Sequence, residues 1–236
     1  MNNDELIKKI KSLGHWRIEL HSTEYQAKRL PTRPSMETLV SKAAVSLRGW
    51  PYPYYQAVET IYNGQWLEGK VEWENYREYW RLYESGQWLH YVRLHGSGAA
   101  REEVFRGMSP LPPLHAGYVH VRDLLFTLTE IFHFAVGLAK GGVLDTTAFL
   151  SVQLHNTKDY MLYESFDRFF THRYVNQTDT PIMFEQSLPV GELSANADQM
   201  ALNMATRVYS VFNWIPAEAA IRTLIEDQKK LIERRL

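Results

Sequence analysis

Histidine is the residue type in this sequence that most directly suggests acid–base or metal chemistry. The chain has nine histidines and no cysteine among its 236 residues. The absence of cysteine excludes thiolate nucleophiles, iron–sulfur clusters, cysteine-ligated zinc and disulfides. A neutral imidazole can act as a general base or bind a metal, so the positions of these histidines decide whether the chain has such a site.

Two groups of residues would hold a metal if the fold brought them together. Glu130 and His133 are three positions apart on a predicted helix, but a carboxylate-bridged di-metal site needs a second such pair. Four further histidines flank the proline-rich residues 109–113, but zinc or iron needs three convergent ligands, and a spacing of five on strands and loops does not ensure that convergence. We therefore predict no metal and no cofactor. The alternative is a histidine-dependent or metal-dependent hydrolase that uses His90, His95, His115, His120, Glu130 and His133.

Nucleophile and phosphate-binding motifs are missing from the sequence. No serine lies in a Gly-x-Ser-x-Gly elbow, which is the motif of many acyl-transfer enzymes. Gly96-Ser97-Gly98 follows a predicted strand, but it lacks the Gly-Lys-Ser/Thr of a P-loop and the third glycine of a dinucleotide motif. The sequence therefore indicates no catalytic residue and favours a non-enzymatic binding protein.

An aromatic segment is the most distinctive candidate for a binding surface. Residues 50–55 read WPYPYY and follow Arg48 closely. Two prolines prevent regular strand pairing, so we expect part of the segment to be exposed. Exposed rings beside an arginine suit base stacking, or contact with the proline or aliphatic groups of a partner. The predicted ligand or partner-binding residues are Arg48, Trp50, Tyr52, Tyr54, Tyr55 and Trp66. In the alternative interpretation, the rings pack onto a predicted helix that contains Trp73 and Trp80.

The charge distribution leaves a second alternative, a nucleic-acid-binding regulator. The net charge is −1, whereas nucleic-acid-binding domains are commonly basic. Residues 1–53, however, carry 9 basic and 5 acidic side chains. The candidate phosphate contacts there are Lys28, Arg29, Arg33 and Arg48, although a solvated charged face explains the same bias.

The hydrophobic pattern predicts one α+β domain over residues 1–236, with a possible subdivision near 109–113. We predict helices over residues 3–13, 35–44, 72–84 and 117–139, from 194 or 196 to 213, and from 217 to the end. We predict strands over 15–21, 45–50, 58–69, 87–94, 103–106, 147–154, 160–163 and 180–188. The alternative for 58–69 is a hairpin that turns at Asn63-Gly64 or Glu68-Gly69. Residues 147–154 and 160–163 are expected to form a hairpin. Because strands and helices do not alternate regularly, we expect a mainly antiparallel sheet packed by helices, including one long central helix and two C-terminal helices.

The predicted environment is cytoplasmic. The sequence has no run of 18 apolar residues, as a membrane-spanning helix would need. Its N-terminus carries Asp4 and Glu5 in an amphipathic stretch and lacks the features of a secretory signal. We expect a protein partner or a small ligand and no membrane.

Three stretches resemble a group of uncharacterised bacterial proteins of similar length. They are VSLRGWPYP at 45–53, WENYREYWRLYESGQW at 73–88 and VQLHNT at 152–157. Residues 79–89 are also similar to regions that accompany Schlafen AlbA-type DNA-binding domains. The resemblance implies a bacterial cytoplasmic protein of a regulatory or defence system, and it carries no catalytic motif.

Overall fold

The computed structural model describes residues 2–56, 59–74, 76–106, 111–164 and 172–235. The helices in this part of the chain are α1 (Asn3–Lys11), α2 (Arg33–Ala43), α3 (Arg101–Val104), α4 (Val121–Lys140), α5 (Val190–Val211) and α6 (Glu218–Ile232). The strands are β1 (His15–Ser22), β2 (Ile61–Tyr62), β3 (Trp66–Glu72), β4 (Arg77–Tyr83), β5 (Trp88–Arg93), β6 (Gly117–His120), β7 (Thr147–His155), β8 (Tyr160–Tyr163), β9 (Tyr174–Val175) and β10 (Ile182–Pro189).

A seven-stranded antiparallel sheet forms the centre of the fold. Its strand order is β10-β7-β1-β5-β4-β3-β2. A second sheet has the order β6-β8-β9, in which β6 and β8 run parallel. The expected α+β class, with a mainly antiparallel sheet, a long helix and two C-terminal helices, is confirmed.

The two faces of the large sheet are covered differently. On one face, the alternating side chains Trp16, Ile18 and Leu20 of β1 join a core that includes the apolar stripe of α4, and α4 packs against α2, α5 and α6. On the other face, α1 packs on β4 and β5. We refer to these faces as the α4 face and the α1 face. No helix in the described part of the chain is long and apolar enough to cross a membrane.

The predicted helix over residues 72–84 is wrong, since its central part is strand β4. Trp80 packs on Trp88 in the core of the α4 face, whereas Tyr79 contacts α1 on the other face. Because both faces of β4 are covered, large rings occur on both sides of the strand. The alternation typical of a strand with one exposed face is therefore absent, and the ring spacing resembles a helical period.

The predicted hairpin of 147–154 and 160–163 is also wrong. Strand β7 lies between β1 and β10 in the large sheet, whereas β8 pairs with β6 in the small sheet. Asn156 and Asp159 in the connection have φ values of 54° and 57°, a left-handed conformation that asparagine and aspartate tolerate better than most residues. The connection directs the chain into a second sheet.

Several boundaries differ from the predicted ones. Residues 45–50 form no strand, and Val45 makes a single bridge to Tyr52. The hairpin alternative for 58–69 is confirmed, since β2 and β3 pair across the turn that contains Asn63 and Gly64, but β3 extends to Glu72 and residue 58 lies outside the described residues. Helix α3 occupies part of the predicted strand 103–106, and β6 precedes α4 where one helix was predicted. Helix α5 begins at Val190 without a side-chain cap. Part of the possible subdivision near 109–113 is outside the described residues.

Candidate functional site

The aromatic segment, taken together with Arg48 as residues 48–55, lies in the connection between α2 and the edge hairpin β2–β3. Two backbone hydrogen bonds close its base, from Val45 N to Tyr52 O at 2.8 Å and from Tyr52 N to Val45 O at 2.6 Å. Pro51 and Pro53 have no amide proton to extend this pairing. The segment is therefore a loop whose side chains reach α4, β4 and β5.

Arg48 anchors the start of the aromatic segment to α4. Its Nη2 donates to Glu130 Oε2 at 2.5 Å and to Thr127 Oγ1 at 3.1 Å. Glu130 is fully buried, and burial raises the pKa of its carboxyl despite the attraction of Arg48. Burial by itself would lower the pKa of Arg48, but Glu130 holds it above its usual value. This pair is a buried ion pair between the segment and the central helix.

A second buried group anchors the middle and end of the segment. The Tyr52 hydroxyl lies 3.1 Å from His90 Nδ1, and His90 Nε2 lies 3.0 Å from Glu78 Oε1. The Tyr76 hydroxyl donates to Glu78 Oε2, and Tyr54 N donates to Oε1 at 3.1 Å. Burial, followed by the negative charge of Glu78, raises the pKa of Tyr52 well above its usual value, so this hydroxyl stays protonated.

These anchors leave three rings at the surface. Trp50 is 48 % exposed and Trp73 is 53 % exposed. The half-buried Tyr54 ring meets Trp73 edge to face, with 5.0 Å between ring centroids. The Arg48 guanidinium lies 5.9 Å from the Trp50 ring centroid. We call Trp50, Tyr54 and Trp73 the aromatic surface.

A cleft lies next to the aromatic surface. It has a volume of about 410 Å³ and is lined by Tyr54, Glu59, Lys70, Val71, Glu72 and Trp73. Two rings and a valine provide its apolar part, and the two carboxylates outnumber the single ammonium. Lys70 Nζ also contacts Asn3 Oδ1 at 3.3 Å. The cleft therefore suits an apolar or weakly basic group better than an anion.

The structure places the predicted partner-binding residues in different environments, some exposed and some buried. Trp50 and Tyr54 lie at the surface, whereas Tyr52 is only 3 % exposed and Arg48 is held by Glu130. Tyr55 is half-buried, with its ring centroid 6.4 Å from that of Trp80. Trp66 lies on the α1 face, with Arg81 4.6 Å from its ring centroid. Sequence reasoning missed Trp73 because it assigned this residue to a helix, whereas the nearby Asn75 is a residue type that favours turns.

The predicted nucleic-acid residues are largely neutralised. Arg29 makes two hydrogen bonds to Asp145, at 2.7 and 2.6 Å. Arg33 donates to Glu37 at 2.7 Å, and Arg48 is paired with Glu130. Only the exposed Lys28 among the four has no acidic partner in the described part of the chain. The structure thus lends the nucleic-acid alternative little support.

The candidate metal residues do not converge on one point. His95 and His120 both approach Asp123 Oδ2, at 3.2 and 3.5 Å. The others lie in separate contacts, namely His90 at Glu78, His115 at Asp159, His133 at Asp198 and Glu130 at Arg48. In the residues that the structure describes, no group of three or more His, Asp or Glu could hold a metal ion.

Asp123 nevertheless joins two histidines at the start of α4. Burial would raise the pKa of its carboxyl, but the hydrogen bond from His95 and the charge of His120 hold the pKa below its usual value. His120 also caps α4, with its Nδ1 accepting from Asp123 N at 3.3 Å. The His95 ring is exposed at its other edge, since 61 % of the side chain is accessible.

Two surfaces of the described structure carry groups suited to binding or to acid–base chemistry, namely the aromatic surface and the His95–Asp123 pair. The first combines exposed rings with buried polar anchors, and the second combines an exposed imidazole with a charged carboxylate. The chain matches no protein-family model, and comparison with curated proteins and with solved structures gave no match either.

Proposed function

We propose that this chain is a non-enzymatic binding or accessory protein that recognises a protein partner through the aromatic surface. The observation that carries the proposal is the exposure of Trp50, within a firmly anchored segment, and of Trp73, whose ring meets Tyr54 of the same segment. Tryptophan and tyrosine are enriched at protein interfaces and account for many of the residues that dominate binding energy.

The buried anchors support a binding role for the aromatic segment. A buried ion pair gives little net stability compared with apolar packing, yet Arg48–Glu130 and the Glu78 group both hold this one loop. The backbone of the segment is held as well, because Trp80 Nε1 donates to Tyr54 O at 3.1 Å. A loop ordered before binding loses less conformational entropy on association, so its rings can bind more tightly.

The charges around the aromatic surface favour a protein partner over a nucleic acid. Arg48 is paired with Glu130, and the cleft carries Glu59 and Glu72 against Lys70, while Glu72 is also paired with Lys9. A phosphate group in the cleft would meet the Glu59 carboxylate at close range. Proline and aliphatic side chains can pack on the rings without that repulsion. The regulatory or defence setting implied by the resemblance is compatible with such an accessory role.

Replacement of the exposed tryptophans tests the proposal. Immobilised wild-type protein, W50A, W73A and the control Y25A are compared for capture of a partner from a bacterial lysate. Tyr25 is exposed and lies in a separate cleft beside His21. We expect W50A and W73A to weaken binding of the captured partner by about tenfold or more, measured by titration calorimetry, and Y25A to leave the affinity unchanged.

Two results would contradict a binding role for this surface. One is the absence of any partner retained by the wild-type chain. The other is equal affinity of the wild type, W50A and W73A for the retained partner. Circular dichroism of each variant confirms that the fold is intact, which is expected because neither indole is fully buried.

The His95–Asp123 pair favours a second candidate function, a histidine-dependent hydrolase. An imidazole that donates from Nδ1 to a carboxylate presents Nε2 as the proton acceptor for a water molecule or hydroxyl group. His95 has this arrangement with an accessible ring. The control is His115, whose Nδ1 lies 3.0 Å from Asp159 Oδ1 but whose side chain is only 12 % exposed.

Hydrolysis of p-nitrophenyl acetate and of bis(p-nitrophenyl) phosphate provides the measurement. For a catalytic base we expect H95A to lower kcat/KM by about 100-fold or more, whereas H115A retains the wild-type value. Activity at the level of the buffer, or equal activity of H95A and the wild type, excludes a catalytic role for His95 with these substrates.

A further inference from the structure

Arg77 on β4 and Arg93 on β5 form a cationic pair. Glu78 is paired with Val92 in the sheet, so Arg77 and Arg93 are the next cross-strand neighbours on the α1 face. Like charges in this position destabilise a sheet. Arg77 is half-buried and Arg93 is only 8 % exposed. Water therefore screens the repulsion between the two guanidinium groups poorly.

Neither guanidinium has a carboxylate partner in the described part of the chain. Arg93 Nη1 donates to Glu74 O at 3.2 Å and Nη2 donates to Ser97 O. The nearest acidic residue across the ladder from Arg77 is Glu72, and its carboxylate binds Lys9 Nζ at 3.1 Å. Two neutral carbonyls position Arg93, but they do not neutralise the pair.

This environment differs from that of the other arginines in the described residues. Those that are buried or half-buried each lie against a carboxylate: Arg17 with Glu19, Arg29 with Asp145, Arg48 with Glu130, Arg81 with Glu68, Arg101 with Glu102 and Arg122 with Glu164. Those without a carboxylate are exposed, namely Arg106, Arg173, Arg207 and Arg234. Among the arginines that the structure describes, only the Arg77–Arg93 pair combines burial with uncompensated charge.

Unused hydrogen-bond donors point in the same direction. The Nε atoms of Arg77 and Arg93 are both buried and have no hydrogen-bond partner among the described residues; the same holds for Nε of Arg29 and Arg48, but those two guanidinium groups bind a carboxylate through Nη. Burial, and then repulsion by Arg77, lowers the pKa of Arg93 below its usual value. A side chain at residue 98 would also disturb the site, because a Cβ on Gly98 would lie 2.6 Å from Arg93 Nη2. The glycine leaves the space that the guanidinium occupies.

We propose that Arg77 and Arg93 bind one phosphate group of a small ligand, between the turn that follows β3 and the loop that follows β5. Guanidinium groups match the oxygens of phosphate with parallel hydrogen bonds. A phosphate monoester carries close to two negative charges at neutral pH, which balances two arginines, whereas a carboxylate would leave one positive charge unpaired. This site lies on the α1 face and does not depend on the proposed role of the aromatic surface.

Thermal unfolding of the full chain at pH 7.5 and constant ionic strength tests the site. The salts compared are sodium phosphate, sodium acetate and sodium chloride, and the proteins are the wild type, R77Q and the control R207Q. With phosphate about tenfold above its Kd, we expect the Tm of the wild type and R207Q to rise by about 3 °C relative to chloride. R77Q is expected to lose this rise, and acetate is expected to give little of it.

The measurement in sodium chloride distinguishes phosphate binding by Arg77 from a purely structural role of this residue. Without phosphate, R77Q is expected to have a Tm equal to or above the wild type, because the repulsion with Arg93 is removed. A general salting effect of phosphate would raise the Tm of R77Q as much as that of the wild type, and this result would overturn the proposal. An equal rise in acetate would overturn the assignment to phosphate.

Calorimetric titration of the folded wild-type chain with inorganic phosphate gives an independent answer, even if R77Q does not fold. Saturable binding of one phosphate per chain supports the site, and the absence of saturable binding overturns it.

Discussion

Arg48→Met is expected to lower the free energy of unfolding by about 3 kcal/mol at pH 7. The methionine restores most of the packing of the arginine stem, but it leaves Glu130 in the core without its cation. Glu130 Oε1 already has no hydrogen-bond partner in the described structure. Loss of the bond from Arg48 to Oε2 therefore leaves the buried carboxylate without a hydrogen-bond donor among the described residues. Urea denaturation followed by tryptophan fluorescence measures the change.

Arg33→Met is the matched control for this prediction. Arg33 forms an ion pair with Glu37 at 2.7 Å at the surface of α2, and exposed pairs of this kind contribute less than about 1 kcal/mol. The double variant R48M/E130M removes both buried charges, so we expect it to be more stable than R48M alone. A double variant that is less stable than R48M, or an effect of R48M no larger than that of R33M, would show that the ion pair is not the source of the cost.

A loss of stability of about 3 kcal/mol between pH 6.5 and pH 4 is expected from His15. Burial, opposed by a hydrogen bond to Leu13 O, lowers the pKa of His15 from 6.5 to about 4, with the charges of His155 and Lys11 as further causes. His155 stacks on His15 with 5.1 Å between the rings, and Arg93 is its partner across the ladder. A proton on His15 would therefore meet a low-dielectric, positively charged surrounding.

The direction of the pH effect follows from proton uptake. Below pH 6.5 the unfolded chain binds a proton at His15, whereas the folded chain does so only near pH 4. The unfolded state thus gains protons first, and stability falls as the pH falls through this interval. Asp123 and Glu68 also have pKa values below their usual range, so their contribution is lost at lower pH and adds to the total loss.

His15→Gln isolates the contribution of His15. Denaturation curves at pH 6.5 and pH 4 are expected to give a difference in unfolding free energy that is about 3 kcal/mol smaller for H15Q than for the wild type. The exposed His172 supplies the control, since its replacement removes no buried ring. Equal pH dependence of H15Q and the wild type would disprove the assignment, as would an NMR titration of His15 with a midpoint near 6.5.

Local pattern was sufficient for β1 and for most of α4. Strand β1 alternates buried Trp16, Ile18 and Leu20 with side chains on the α1 face, and α4 carries a continuous apolar stripe. The two prolines of the aromatic segment indicated a loop, and Trp50 and Tyr54 are at its surface. Each of these signals can be seen in neighbouring residues of the sequence. The period is two residues for a strand and 3.6 for a helix, and a proline lacks the amide proton that strand pairing needs.

The pattern failed where neighbouring layers cover both sides of an element. Strand β4 lies between α1 and the α4 side, so Tyr79 and Trp80 are both buried although they point to opposite faces. Sequence alone also misplaced β8, because its partner β6 is a strand of only four residues directly before a long helix. Such a short strand is recognised by its pairing, and that pairing joins residues about 40 positions apart.

The amino-acid sequence by itself determined the α+β class, the absence of cysteine chemistry and the exposure of part of the aromatic segment. Only the tertiary structure decided which charges meet. Arg48 reaches Glu130, which is 82 residues away, and two histidines from distant parts of the chain share Asp123. Arg77 and Arg93 face each other without a carboxylate partner among the described residues. The physical reason is that an ion pair forms between side chains brought together by sheet register and helix packing, and neither distance nor burial is encoded in the spacing of the residues along the chain.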